Sequence, residues 1–443
     1  MPPVASHPDR SFPLLHSRPA KGWLNDPNGI HHSDGSWHVF FQYNPDSARH
    51  GDITWGHMTS TDLLRWEQEG IALRPQPGAG DEHGCWSGIA TIDDGVPTLV
   101  YSGVRDLWGH SDVMLARPSS DGEGWVQSDH VAAPMPENRR VLAVRDPFLF
   151  EFEGRRWGLL GASHAPGIGA ILLYDASDLA HWEERGVFAH AMTPEGKRLR
   201  PANMWECPQL VRVGDDWVLL FSLWVGGHTD RVCYLIGSLA LDEATGLPRF
   251  SPRAGGLLDD GVSFYAPQAV QDGGAADGAD RVLLWGWARE VAPDGVRGRS
   301  EEEADEVGWS GILTFPRELA VDGDAVYAAP ARELIALRGA SLRDLATLGG
   351  LSVSLPDQAE LLLGGTGPVE LLLGPEDEPG QLLYRAELAG GGVRILIDAS
   401  LVEVFPEGAT PTTLRAYPSD GETYRLIAGP EIVVEGWELR LPE

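Results

Sequence analysis

Three acidic residues stand directly before a proline or one residue removed from it: Asp26 in "NDPNG", Asp146 in "RDPFL" and Glu206 in "ECPQL". Read singly, each suits a turn, because Asn, Asp, Pro and Gly all favour turns for ordinary backbone reasons. Brought together, they would repel one another and raise at least one pKa, and apolar burial would push the same way. Such a cluster has two usual uses, binding a cation and handling a glycosidic bond. Glycosidic cleavage needs one carboxyl that keeps its proton for the leaving oxygen and one carboxylate that attacks the sugar or activates water. Glu206 follows the apolar Trp205, which suits an acid; Asp26 lies among Asn25 and Asn28, whose polar groups favour the ionised nucleophile.

Whether the three meet depends on the elements that carry them. Short runs of Val, Leu, Phe, Tyr and Trp bounded by Gly, Asp and Pro, such as "SWHVFFQY", "TLVYSG" and "VLLFSLW", indicate a mostly β chain. An acidic or glycine turn followed by an apolar strand recurs at Gly35, Gly95, Gly154, Gly214 and Gly278, with spacings of 60, 59, 60 and 64 residues. "STDLLRWEQEG" and "ASDLAHWEERG" echo one another with their aspartates, Asp62 and Asp178, 116 residues apart, close to two periods. Five units with room for about four strands each predict a five-bladed β-propeller over residues 1–330. Residues 331–344 read as a linker, and the alternating strands of 345–443 suit a β-sandwich.

Asp26 lies nine residues before Gly35, Asp146 eight before Gly154 and Glu206 eight before Gly214; the same step from Gly95 reaches Ser87. In a propeller the first strand of each blade lines the axis, so these positions should share one funnel. Aromatic residues gather near the same motifs: Trp23, Trp55, Trp86, Trp205, Phe264, Tyr265 and Trp287. Most are expected between blades, with Trp23, Trp86 and Trp205 the best placed to pack on the C–H faces of a sugar.

The composition narrows the partners. With 443 residues, 42% of them hydrophobic, the chain can bury a large core. Its net charge of −31 would repel nucleic acid and anionic membrane surfaces, so a neutral small-molecule carbohydrate is the expected partner. The opening "MPPVASHPDRSFPLLHSRPA" has no apolar leader-like region, and Cys85, Cys207 and Cys233 do not make a disulfide framework; a cytoplasmic location is expected. HExxH, CxxC, GxxxxGK[ST] and GxSxG are absent, and no metal site is expected. "EEEADE", Glu301 to Glu306, reads as a solvated loop, and Cys207 as a small packed residue.

In order along the chain, "WLNDPNG", "FFQYNP", "WGHMTSTDLLRW", "WSG", "RDP", "ECP", "FYAPQ" and "GWSGILTFPREL" resemble glycoside hydrolase family 32, the β-fructosidases, and "GVRILIDASLVEVF" resembles that family's C-terminal sandwich. The resemblance implies a retaining hydrolase of terminal β-fructofuranosides that needs no cofactor. By it, Asp26 would be the nucleophile, Asp146 the transition-state stabiliser and Glu206 the general acid and base. Asn25, Gln42, Trp86, Ser87 and Arg145 would shape the fructose pocket, with Trp287 alongside. The departures fall on the leaving-group side: Ser263 stands where many microbial members have aspartate, His50 where some have tryptophan, and Ile89 turns "SGS" into "SGI". Loss of that aspartate leads to the expectation of fructans or oligofructosides over sucrose. A fructosyltransferase, an inverting glycosidase and a non-catalytic fructan-binding protein are the alternatives.

Overall fold

The computed structural model describes residues 6–120, 124–272, 281–290, 298–342 and 351–442. The fifth turn glycine, Gly278, and the expected 344/345 boundary lie outside these residues. Up to residue 330 the strands fall into antiparallel runs, each strand paired with its sequence neighbour. The first run is β1 (Gly22–Ser33), β2 (Ser36–Asn44), β3 (Thr54–Ser60) and β4 (Glu67–Leu73). The second is β5 (Cys85–Asp93), β6 (Val96–Val104), β7 (Ser111–Pro118) and β8 (Trp125–Ala133). The third is β9 (Val141–Phe152), β10 (Arg155–His164), β11 (Ile168–Asp175) and β12 (Glu183–His190), and the fourth β13 (Met204–Val213), β14 (Asp216–Val225), β15 (His228–Leu241) and β16 (Pro248–Leu257). The fifth starts with β17 (Phe264–Asp272) and β18 (Arg281–Ala288). After helix α1 (Glu301–Val307) come β19 (Trp309–Ser310), β20 (Ile312–Leu313), β21 (Arg317–Asp322) and β22 (Ala325–Pro330), of which β20 and β21 pair with β18.

The leading strands close on one another: β1 packs on β5, β5 on β9, β9 on β13, β13 on β17, and β17 on β1. In β1 and β13 burial is almost unbroken, taking in polar residues such as Asn25, Asn28 and Gln209 on both faces, whereas β4, β8 and β12 are mostly exposed or half-buried. Side chains also cross between runs, the Ile30 N–H donating to Gln268 Oε1 at 2.7 Å and the Gly88 N–H to Asn28 Oδ1 at 3.1 Å. A parallel pairing of β19 with β1, Gly22 opposite Trp309, ties the fifth run to the first. Asp62 and Asp178 occupy matching turns between third and fourth strands, where each accepts backbone N–H groups and the nearby Trp66 and Trp182 are buried.

Hairpin chemistry explains the repeat and corrects its phase. Asp34–Gly35, Asp94–Gly95 and Glu153–Gly154 each have both residues at φ between 48° and 79°, as two-residue type I′ turns require. The fourth hairpin pairs Val213 with Asp216, so its glycine, Gly214 at φ 61°, takes the first turn position and Asp215 the second. Counted by turn position, Cys207 and not Glu206 is the counterpart of Asp146.

After the 3-10 helix Arg332–Leu337 the chain forms one hydrogen-bonded sheet: β23 (Arg338–Ser341), β24 (Leu351–Leu355), β25 (Gln358–Pro375), β26 (Gln381–Asp398), β27 (Leu401–Pro406), β28 (Thr412–Arg415), β29 (Glu422–Ala428) and β30 (Ile432–Leu439). The long β25 pairs with β30 along its first half and with β29 along its second, with a register shift between Gly364 and Thr366. The sheet thus turns around its own apolar core. β23 falls inside the segment expected as a linker.

Candidate active site

A strand sends successive side chains to opposite faces, so two adjacent residues cannot both line a cavity without a local break. Each leading strand supplies that break. Two residues oppose one between Leu24 and Pro27, between Arg145 and Phe148, between Glu206 and Gln209, and between Tyr265 and Gln268; Ser87 is the extra residue of β5. These bulges leave Asp146, Cys207 and Ala266 at φ 60°, 48° and 44°, each just before a proline. Their N–H groups find partners in the run before: Asp146 N–H donates to Ser102 Oγ at 2.8 Å, Cys207 N–H to Asp146 Oδ2 at 2.9 Å and Ala266 N–H to Ser222 Oγ at 3.0 Å. The bulge therefore turns Asn25 with Asp26, Arg145 with Asp146, and Glu206 with Cys207 toward one cavity of about 650 Å³.

All contacts of the Asp26 carboxyl come from donors. Asn25 Nδ2 donates to Oδ1 at 3.1 Å, while Gln42 Nε2 at 3.1 Å and Ser87 Oγ at 2.5 Å donate to Oδ2, with the Cys207 thiol 3.8 Å away. Trp23 Nε1 donates to Asn25 Oδ1 at 2.8 Å and so orients the amide. Asn28 does not take part; its side chain serves Gly88. Burial pushes the Asp26 pKa up to about 6; the hydrogen bonds from Ser87 and Asn25 oppose this and the charge of Glu206 adds to it. Asp146 is pushed up to about 7, by burial first and the charge of Glu206 next, against the pull of Arg145.

Glu206 is held from both sides. Arg145 Nε donates to Oε1 at 2.8 Å, and the Tyr265 hydroxyl lies 2.5 Å from Oε2 and 3.0 Å from the Leu223 carbonyl. The Tyr265 hydroxyl thus faces two acceptors, and its one hydrogen serves Glu206 Oε2 or the Leu223 carbonyl. Trp205 has no part in this. Its ring is fully buried, stacked on Phe221 at a centroid distance of 3.9 Å. The neighbours that hold Glu206 are Arg145 and Tyr265.

Of the other expected residues, Asn25, Gln42, His50, Trp86, Arg145 and Trp287 line the cavity, as does Trp23. Trp23 packs edge-on against His50 and Trp287 at 6.0 and 5.6 Å, and Arg145 lies over Trp86 at 5.4 Å. Ser87 stands behind Asp26 rather than on the wall. Ser263 is a correction: it is fully buried, outside the cavity, its carbonyl accepting the Arg289 N–H at 2.9 Å. Ile89 belongs to the hydrophobic core. The wall also contains Cys207, Trp224, His228, Thr229, Tyr265 and Glu301. "YAP" repeats the pattern of "NDP", "RDP" and "ECP", and that pattern alone marks Tyr265 as a counterpart of Glu206. Glu301 lies on α1, where a loop was expected; Ser300 and Glu303 form its capping box.

Residues 16–330 match the model for the glycosyl hydrolases family 32 N-terminal domain. The chain belongs to glycoside hydrolase family 32. It is 35% identical to the raffinose invertase of Escherichia coli over 74% of this chain and 66% of that relative's length, just under two thirds of it. With the sucrose-6-phosphate hydrolase of Salmonella typhimurium it shares 32% identity over 90% of this chain and 87% of the relative. The structure of a family 32 β-fructofuranosidase from Bombyx mori is similar with a TM-score of 0.80 and 27% identity, over 97% of this chain and 94% of that one. As a member of family 32, the chain is a glycoside hydrolase. Among the described residues no helix is long and apolar enough to cross a membrane.

The position of Asp26 sets a pH dependence. If its carboxylate is the form that reacts, kcat/KM should fall about tenfold per unit below pH 6. Replacing Glu206 by Gln removes a charge that raises Asp26. Residual turnover of an aryl β-fructofuranoside, which needs little help from an acid, should then show the acidic limb at lower pH. A pH–rate profile of both proteins checks this, and a limb that does not move would contradict the coupling.

Proposed function

We propose that this family 32 chain hydrolyses terminal β-D-fructofuranosides with retention, through a covalent fructosyl intermediate on Asp26. One observation carries the proposal: Asp26 is surrounded by donors that favour an attacking carboxylate, while a second carboxyl, Glu206, is fixed in the same cavity by Arg145 and Tyr265. Asp26 attacks the anomeric carbon as Glu206 gives its proton to the leaving oxygen. Water then enters, Glu206 takes its proton, and fructose leaves. Asp146, which shares its Oδ2 with the Cys207 N–H, keeps an oxygen for fructose hydroxyls and balances charge on the developing cation. Asn25, Gln42, Trp86 and Arg145 shape the fructose pocket, with Ser87 holding Asp26 from behind.

The architecture we infer is a five-bladed propeller over 1–330, a short connection over 331–344 and a sandwich over 345–443, with the five runs as blades. Free, buried cysteines support a cytoplasmic setting. Relatives named for raffinose and for sucrose 6-phosphate support short fructosides as substrates. The expected preference for fructans rested on Ser263, which is off the cavity wall.

Incubation with sucrose, raffinose, inulin and levan, with Asp26→Asn as blank, should release fructose whose first-formed anomer by proton NMR is β. An α first product would overturn the role of Asp26, and larger oligosaccharides as the main product would make the protein a transferase.

A further inference from the structure

The leaving group must meet the wall beyond the fructose pocket, and one charged side chain there comes from an element unrelated to the leading strands. Glu301 opens α1 and lines the cavity, its side chain 73% exposed. Its position is fixed: the capping box holds one end of α1, Gly308 closes the other at φ 78°, and β19 then pairs with β1. Arg49 donates to Glu301 Oε2 at 2.8 Å, and among the described residues Oε1 has no partner. The same guanidinium contacts Asp305 at 2.7 Å and Glu302 at 3.9 Å, so three carboxylates share one positive charge and this side stays negative. The arginine on the cavity wall, Arg145, is already committed to Glu206. His50 adds no charge near neutral pH, because burial lowers its pKa.

Given fructoside hydrolysis as proposed above, we propose that Glu301 determines specificity for the leaving group: its carboxylate accepts hydroxyls of a neutral sugar and repels a sugar that carries phosphate. A hydroxyl gains a charge-assisted hydrogen bond at Oε1. A phosphate, with close to two negative charges at neutral pH, approaches a negative wall that has no free arginine or lysine among the described residues. The substrate class is therefore a neutral fructoside, although relatives are named as sucrose-6-phosphate hydrolases.

The test compares wild type, Glu301→Gln, Glu301→Lys and Arg49→Gln on sucrose, sucrose 6-phosphate and methyl β-D-fructofuranoside, whose leaving group is too small to reach the wall. Wild type should favour sucrose over its 6-phosphate by roughly tenfold or more in kcat/KM, and the ratio should shrink as salt is added. Glu301→Lys should raise kcat/KM on the phosphate by about tenfold, and Glu301→Gln should raise KM for sucrose about threefold. Arg49→Gln should deepen the discrimination, and all variants should cleave the methyl fructoside like wild type. Equal use of sucrose and its phosphate by wild type, or a ratio unchanged in Glu301→Lys, would overturn the inference. Failure of wild type on the methyl fructoside and sucrose alike would instead defeat fructoside hydrolysis itself.

Discussion

Replacing Asp26 by Asn should lower kcat on sucrose by about 10⁴-fold or more, since the group that forms the covalent bond cannot be substituted by its neighbours. Folding should survive. The side chain keeps its shape, and the bulge that presents it is set by the backbone and Pro27. A second measurement separates chemistry from structure. The folded-state pKa of Asp26, about 6, lies above the ordinary 3.8, so the folded protein binds more protons than the unfolded chain between these values. The stability this carboxyl permits is fully present below pH 3.8 and is lost as pH rises through about 6. The amide introduced by Asp26→Asn does not titrate. The difference in melting temperature, variant minus wild type, should therefore increase from pH 4 to pH 7. Turnover within about tenfold of wild type would remove Asp26 from the reaction. A melting difference that is flat with pH would mean its carboxyl titrates normally.

The largest effect on stability should come from Arg317→Met, at the junction of the C-terminal sheet with the rest. Arg317 is fully buried and donates to Asp259 Oδ2 at 2.8 Å, to Glu403 Oε2 at 2.7 and 3.0 Å and to Thr413 Oγ1 at 2.6 Å. Its guanidinium is sandwiched by Phe264 and Phe405 at 4.6 and 5.0 Å. The other oxygen of Glu403 meets His16 Nε2 at 3.1 Å and the Phe315 N–H at 2.9 Å, and His16 Nδ1 lies 2.8 Å from Asp398. The N-terminal segment, β21, β26, β27 and β28 are thus joined through one dry set of charges. Removing only the arginine leaves Asp259 and Glu403 buried with too little positive charge, at a cost of about 3–5 kcal/mol. Denaturant unfolding measures it. The combined variant Arg317→Met, Asp259→Asn, Glu403→Gln should recover part of the loss, because no unpaired charge remains. A loss under about 1 kcal/mol for Arg317→Met would mean that water reaches these groups.

Much of the site could be read in the chain because turn chemistry is local. Asp-Gly and Glu-Gly pairs mark hairpins whatever surrounds them, and their spacing near 60 residues placed Asp26, Asp146 and Glu206 in similar parts of successive units. The prolines after Asp146, Cys207 and Ala266 mark the same point of three bulges, and Pro27 stands one residue further along its own. Resemblance to family 32 then attached roles that spacing could not. Tertiary structure decided what lies between those marks. A bulge is a property of two strands, two residues opposite one, so a single strand does not reveal that Arg145 and Asp146 both face inward, or that Cys207 rather than Glu206 is the counterpart of Asp146. Trp205 and Tyr265 are both aromatic residues near a motif; only the packing of β13 and β17 sends one into the core and the other to Glu206. For the same reason Ser263 lies buried outside the cavity while Glu301 lines it. A side chain's neighbours along the chain follow from covalent geometry, but the far wall of a cavity is built by contacts between segments distant in sequence, which bring Glu301 of α1 onto it and leave Ser263 off it.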